Sequence, residues 1–210
     1  MAIPAGVSRV SIRGTAATSE IWETGFWVAS AAPDQATADA DAANIKTLFL
    51  GDWINAWLSH MTSDMVITEI RVYAYPAGGP RASFVGVAPI ASGNGTDTSG
   101  YLPLQVAPVL TLLTGASGRR NRGRMYLPLT GFSMMGSNHL LSTTATDAIT
   151  SAAATFFSAL GPAYPPVVLS IVGSSHRAIT EVAMDNRPDV QRRRANKEGA
   201  THRSTGTVTP

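Results

Sequence analysis

The residues of this chain whose type and spacing indicate a binding function lie in two arginine clusters. The mid-chain cluster comprises Arg119, Arg120, Arg122 and Arg124, and the C-terminal cluster comprises Arg192, Arg193 and Arg194. Together they hold seven of the 16 basic residues, although only 14% of the chain is charged and its net charge is +2. Guanidinium groups bind phosphates and carboxylates through paired hydrogen bonds. The clusters therefore predict contacts with nucleic acid or with acidic side chains of a neighbouring subunit.

Ordinary solvation is the alternative explanation of such charge runs. The mid-chain cluster is interleaved with glycine and asparagine and has no acidic residue beside it, which favours an anionic partner. The C-terminal cluster differs, because Asp189 could pair locally with one of its arginines.

No catalytic pattern accompanies the arginines. The four histidines lack the spacing of metal ligands, and the chain has no cysteine: they are His60, His139, His176 and His202. Asp39 and Asp41 are two residues apart on a predicted helix and would face different directions. We therefore predict no catalytic residue, no metal site, no cofactor and no enzymatic activity. A hydrolase with an unfamiliar site is the third hypothesis, behind two binding functions.

An aromatic group, Trp22, Phe26 and Trp27, offers either a stacking platform for bases or sugars or simple core packing. Strand alternation puts Trp22 and Phe26 on one face and Trp27 on the other. We favour the core explanation, in which they pack against a helix carrying Trp53 and Trp57.

Composition indicates a globular protein of one domain, or of a domain with a tail. The chain has 210 residues, 44% of them apolar, which is enough for a real core. It shows no apolar run of membrane-spanning length and no signal-peptide pattern, so we expect assembly in a cytoplasm without a membrane contact.

In the first half, strands are predicted at 7–13, 20–29, 66–75 and 84–90. A helix should begin after Asp34 and end near His60. Ile45, Phe49, Trp53 and Trp57 recur at helical spacing along it.

In the second half, a strand at 104–114 and a strand at 125–127 should form a hairpin whose connection carries the mid-chain cluster. Pro108 argues for an edge position or a bulge in the first of these strands. A second helix should run from Thr144 to Leu160, followed by strands at 167–172 and 178–184.

The resulting fold class is α+β, a mostly antiparallel sheet with two helices packed on it. Residues 1–184 form a single domain in this prediction, and residues 185–210, where apolar residues almost vanish, form a basic C-terminal arm. Each half reads strands, helix, strands, and the string at 67–70 is echoed at 179–182. Four residues are too few to claim a duplication.

Four strings of the chain, at 22–27, 104–107, 122–128 and 189–194, resemble segments of small virion structural proteins of tailed-phage type. The resemblance implies a virion protein, assembled in a host cytoplasm, whose partners are copies of itself, other virion proteins and packaged nucleic acid. It leaves open whether the protein belongs to the capsid shell, the head decoration, the tail or the connector, and it assigns no functional residue.

The leading hypothesis is therefore a structural virion protein that self-assembles into a symmetric array or ring, with both arginine clusters contacting neighbouring subunits or nucleic acid. The second is a nucleic-acid-binding module that uses both clusters on phosphates. A net charge of +2 is low for the second hypothesis.

Overall fold

A computed structural model describes residues 3–15, 21–61, 63, 65–96, 109–114, 121–126, 143–164, 170–175 and 202–207. For residues 109–114, 121–126, 143–146, 170–175 and 202–207 it describes the backbone alone. The described elements are β1 (Val7–Thr15), β2 (Ile21–Val28), α1 (Gln35–Asp52), α2 (Ile54–Leu58), β3 (Val66–Tyr75), β4 (Phe84–Pro89), β5 (Val109–Thr114), β6 (Asn121–Tyr126), α3 (Thr143–Leu160), β7 (Ser170–Ser175) and β8 (His202–Thr207).

The first four strands form an antiparallel sheet in the order β2-β1-β3-β4. Val10 of β1 lies opposite Phe26 on one side and Val72 on the other, and Val72 lies opposite Gly86 of β4. Helix α1 packs over β3 and β4. It comes so close to β4 that a Cβ on Gly86 would overlap the carbonyl of Ala38.

Helix α1 begins where the sequence predicts. The Asp34 side chain accepts a 2.7 Å hydrogen bond from the backbone N–H of Thr37, and this bond holds the pKa of Asp34 below its ordinary value. The predicted single helix to His60 is wrong in one respect, because α1 ends at Asp52 and α2 follows after Trp53. Gly51 weakens the last turn of α1, and the break lets Ile54 be buried beside Trp53 and Trp57.

The other four strands form a second antiparallel sheet, in the order β6-β5-β7-β8. Helix α3 packs over β7 and β8, as α1 packs over β3 and β4. Both helices have 18 residues. The chain therefore repeats one ββαββ topology, and we call residues 3–96 the first unit and residues 109–207 the second unit. Of the two strings in the sequence echo, residues 67–70 lie in β3 and residues 179–182 lie outside the described residues.

Aromatic rings join the two units. Phe156 and Phe157 of α3 contact Phe26 of β2 with ring centroids 6.0 and 4.8 Å apart. Phe49 and Trp53 complete this cluster, and Trp22 packs on Trp57 at 5.8 Å. This is one continuous core, since α1 also contacts α3 and β2 also contacts β6.

The α+β fold class is confirmed, with the described strands divided between two sheets. Strand β5 is an interior strand, so the edge position, one of the two alternatives that Pro108 suggested, is wrong. It begins at Val109, and Pro108 lies outside the described residues. Within the predicted C-terminal arm, His202–Thr207 forms β8 at an edge of the second sheet. The domain boundary at residue 184 stays a prediction.

Candidate functional site

The first sheet has one face against the helices and one face turned away from them, which we call the outer face. Side chains alternate along a strand, and Val10, Phe26 and Val72 are buried on the helix side. The residues between them form the outer face, which includes Arg9, Arg13, Ile21, Glu23, Trp27, Glu69, Arg71, Tyr73, Tyr75, Val85 and Val87. Ser11, at the centre of this face, is fully buried.

Five charged side chains form a continuous chain of ion pairs on the outer face. Arg9 Nη2 lies 2.8 Å from Glu23 Oε1, and Arg13 Nε lies 3.4 Å from Glu23 Oε2. Arg13 Nη1 lies 2.9 Å from Glu69 Oε1, which is also 2.7 Å from Arg71 Nε. The register explains this order, because Arg13 lies opposite both glutamates. Three positive charges are thus neutralised by two negative charges, leaving one.

At the centre of these ion pairs, the Glu69 carboxylate is stabilised by Arg13 and Arg71. Burial alone would raise the pKa of Glu69, but hydrogen bonds and charge attraction from Arg71 and Arg13 outweigh it, so the pKa lies below its ordinary value. The same hydrogen bond to Glu69 raises the pKa of Arg71. Both groups are therefore held in their charged forms across the physiological range.

Exposed apolar side chains border the ion pairs. Trp27 on β2 is 44% exposed and packs against Tyr75, with ring centroids 5.8 Å apart and the rings tilted by 43°. Val87 on β4 is 39% exposed, and Ile21 at the start of β2 is 62% exposed. Tryptophan, tyrosine and arginine are the residue types enriched where proteins bury surface against one another. The outer face therefore has the composition of a protein interface.

The predicted aromatic group divides as the alternation indicates. Trp22 and Phe26 are buried in the core, and Trp27 lies on the outer face. The prediction that they would pack as core residues is confirmed for Trp22 and Phe26, whereas Trp27 is free to contact a partner.

The two arginine clusters are only partly within the described residues. Arg122 and Arg124 lie in β6, opposite Leu113 and Thr111 of β5. The hairpin is confirmed, but the prediction that its connection carries all four mid-chain arginines is wrong for these two. Their long polar side chains are compatible with β6 because it is an edge strand of its sheet. Arg119, Arg120, Arg192, Arg193 and Arg194 lie outside the described residues, and their predicted contacts stay predictions.

The described residues offer neither a metal site nor a membrane-spanning helix. Within the described ranges, no three His, Asp or Glu side chains come together as metal ligands would. Among the helices described, none combines the length and the apolar character that crossing a membrane requires. Of the four histidines, His139 and His176 lie outside the described residues.

The ion-pair chain is the feature that sequence reasoning missed. Its signal was present, because Arg9 and Arg13 alternate with core residues along β1, and Glu69 and Arg71 do so along β3. Pairing them required the strand order and register, which place β1 between β2 and β3.

No protein-family model, curated protein or solved structure matches this chain. Functional conclusions must therefore come from its own residues.

Proposed function

We propose that the chain is a structural virion protein that self-assembles into a symmetric array or ring through its outer face. The single observation that carries this proposal is a partly exposed sheet face on which Trp27 and Val87 border five charges that are paired with one another. The resemblance of four strings to virion proteins of tailed phages supports the particle context. In this reading the protein acts in the virion, after assembly in the host cytoplasm.

Pairing of the charges lowers the electrostatic penalty of burying the outer face against a partner. An unpaired charge is costly to remove from water, but each of these five charges already has an opposite charge within 4 Å. The apolar border then supplies the favourable part of the free energy, at about 25 cal/mol for each Å² of apolar surface buried. An interface formed in this way needs no other rearrangement of the sheet.

A second copy of the chain is the partner that the charge pattern favours. Charges alternate in sign from Arg9 through Glu23, Arg13 and Glu69 to Arg71. A copy related by a two-fold axis can set its arginines against these glutamates, which closes a dimer, and a second contact between dimers then extends it into an array or ring. Weak contacts of this kind become strong when they repeat over many symmetric copies.

A matched pair of variants tests this interface. Val87 and Leu50 are both 39% exposed, but Val87 lies on the outer face and Leu50 lies on α1. Val87→Glu should convert the assembly to smaller species in light scattering, whereas Leu50→Glu should leave it unchanged. Equal effects of the two substitutions, or none, would remove the outer face from the proposal.

The C-terminal cluster has a separate predicted role as an inter-subunit lock. Simultaneous replacement of Arg192, Arg193 and Arg194 by alanine should then prevent formation of large homogeneous oligomers. Normal assembly of this triple variant would show that the cluster does not hold subunits together, while leaving the outer-face contact intact.

A further inference from the structure

The chain is electrostatically divided between its two halves. Residues 1–100 contain nine acidic and five basic residues, whereas residues 101–210 contain five acidic and eleven basic residues. The modest overall charge of +2 therefore conceals a negative half and a positive half. A positive half attracts polyanions even when the whole molecule is close to neutral.

The register of the second sheet brings three of those basic residues to one face. Tyr126 of β6 lies opposite Val109, which lies opposite Ser174, which lies opposite Arg203 of β8. Residues two apart on a strand share a face, so Arg122 and Arg124 belong to the same face as Tyr126 and Arg203. We call this the basic face. Arg203, far away in the sequence, could not be assigned to it without the strand order.

The opposite face matches the helix-packed face of the first unit. The row Gly123, Leu112, Ile171 and Gly206 crosses the second sheet as Phe26, Val10, Val72 and Gly86 cross the first. Each row ends in a glycine on the strand that contacts the helix, namely β4 for α1 and β8 for α3. The other positions of that face are the apolar Leu110 and Met125, Gly173, and polar residues such as Asn121 and Ser204. By this correspondence the basic face is equivalent to the outer face of the first sheet.

The basic face differs in charge from the outer face of the first unit. On the outer face Glu23 and Glu69 pair with three arginines and balance two of their three charges. Strands β5, β6, β7 and β8 contain no aspartate or glutamate at any position. The outer face therefore carries two glutamates beside its arginines, whereas the described strands that form the basic face carry no acidic residue.

We propose that the basic face binds single-stranded nucleic acid. Arginines stand on both edge strands, and the interior strands between them contribute uncharged residues such as Thr111 and Val172. The two edges are three inter-strand spacings apart, or about 14 Å, which gives room for one strand to lie along the sheet. The arginines contact its phosphates, and Tyr126 provides a ring on which a base stacks.

Salt dependence and base stacking separate this ligand from an acidic protein surface. Removal of one arginine–phosphate pair should reduce the slope of log affinity against log salt by about 0.7 for a single strand. Loss of a stacking ring should weaken binding about 5- to 150-fold and leave that slope unchanged. An acidic protein surface would bind the arginines, but its affinity would not depend on stacking against the Tyr126 ring.

The experiment is fluorescence anisotropy of a labelled oligothymidylate of about 20 nucleotides, titrated with the full chain from about 50 to about 200 mM salt. Arg122→Gln, Arg124→Gln and Arg203→Gln should each weaken binding and flatten the salt slope. Tyr126→Leu should weaken binding at an unchanged slope. Arg81→Gln is the matched control, because Arg81 is an exposed arginine of the first unit, and it should bind as the parent protein does.

Three results would overturn the proposal. They are no binding at about 50 mM salt, equal effects of Arg203→Gln and Arg81→Gln, and tighter binding of a duplex of the same length. Binding of polyglutamate in place of the oligonucleotide would instead assign the face to an acidic protein. Circular dichroism of each variant verifies folding. Val87→Glu protein should bind the oligonucleotide normally for each subunit, so failure of self-assembly and failure of this proposal are distinguishable.

Discussion

The Tyr164 hydroxyl donates a 2.9 Å hydrogen bond to Oδ1 of Asp41 and so links the end of the second unit's helix to the helix of the first unit. Tyr164 is buried, whereas Asp41 is half-buried. Burial, together with the hydrogen bond to the Asp41 carboxylate, raises the pKa of Tyr164 well above its ordinary value of 10.0. This polar contact lies beside the aromatic cluster that joins the two units.

Replacement of Tyr164 by phenylalanine should remove this link without leaving a cavity. We expect a loss of about 1 kcal/mol from the free energy of unfolding at neutral pH, measured by urea denaturation. The raised pKa means that the wild-type bond contributes fully below pH 10.0 and is lost as the pH rises above it, because the unfolded state releases the tyrosine proton first. The difference between wild type and variant should therefore shrink in alkali. A difference that is independent of pH would contradict this assignment.

Close approach of helix and sheet predicts that Gly86→Ala is destabilising. The added Cβ would overlap the Ala38 carbonyl on α1, and overpacking of this kind costs about 1–3 kcal/mol. If the second unit repeats the packing of the first, Gly206→Ala should destabilise by a similar amount. Thermal unfolding followed by circular dichroism measures both.

Gly93→Ala is the control for these glycines, because nothing lies within 4 Å of the added Cβ. Its effect should stay within about 0.5 kcal/mol. An effect of Gly206→Ala no larger than that of Gly93→Ala would show that α3 does not cross β8 as α1 crosses β4.

The ion-pair chain predicts a pH-dependent effect of Glu69→Gln. The pKa of Glu69 lies below its ordinary value of 4.5, so its stabilising contribution is present above pH 4.5 and is lost as the pH falls below it. The variant should be less stable than wild type by about 1 kcal/mol at neutral pH, with a difference that vanishes in acid. Urea unfolding across this range provides the measurement, and a constant difference would mean that the Glu69 charge is not responsible.

The sequence predicted the first unit well because its elements carry local signals. Val72 and its neighbours alternate along β3, and Asp34 marks the start of α1 with a capping side chain. It did not predict the break at Trp53, since a stripe of aromatic residues continues through it at helical spacing. The burial of Ile54, which accompanies the break, becomes apparent only from the packing of the core.

The candidate surfaces were less predictable because they depend on register between distant residues. Arg13 meets Glu69 across 56 positions of sequence, and no local pattern pairs them. Strand β8 was also difficult to predict, because it lies in a polar segment whose composition indicates an arm. Its pairing with β7 supplies the context that composition lacks.

The size of the unmodified protein in solution tests the central claim, self-assembly through the outer face, most directly. Light scattering after gel filtration, over a range of concentrations, should give a large species of defined mass, and electron microscopy of that peak should show rings, tubes or shells. A monomer at every concentration would contradict the claim.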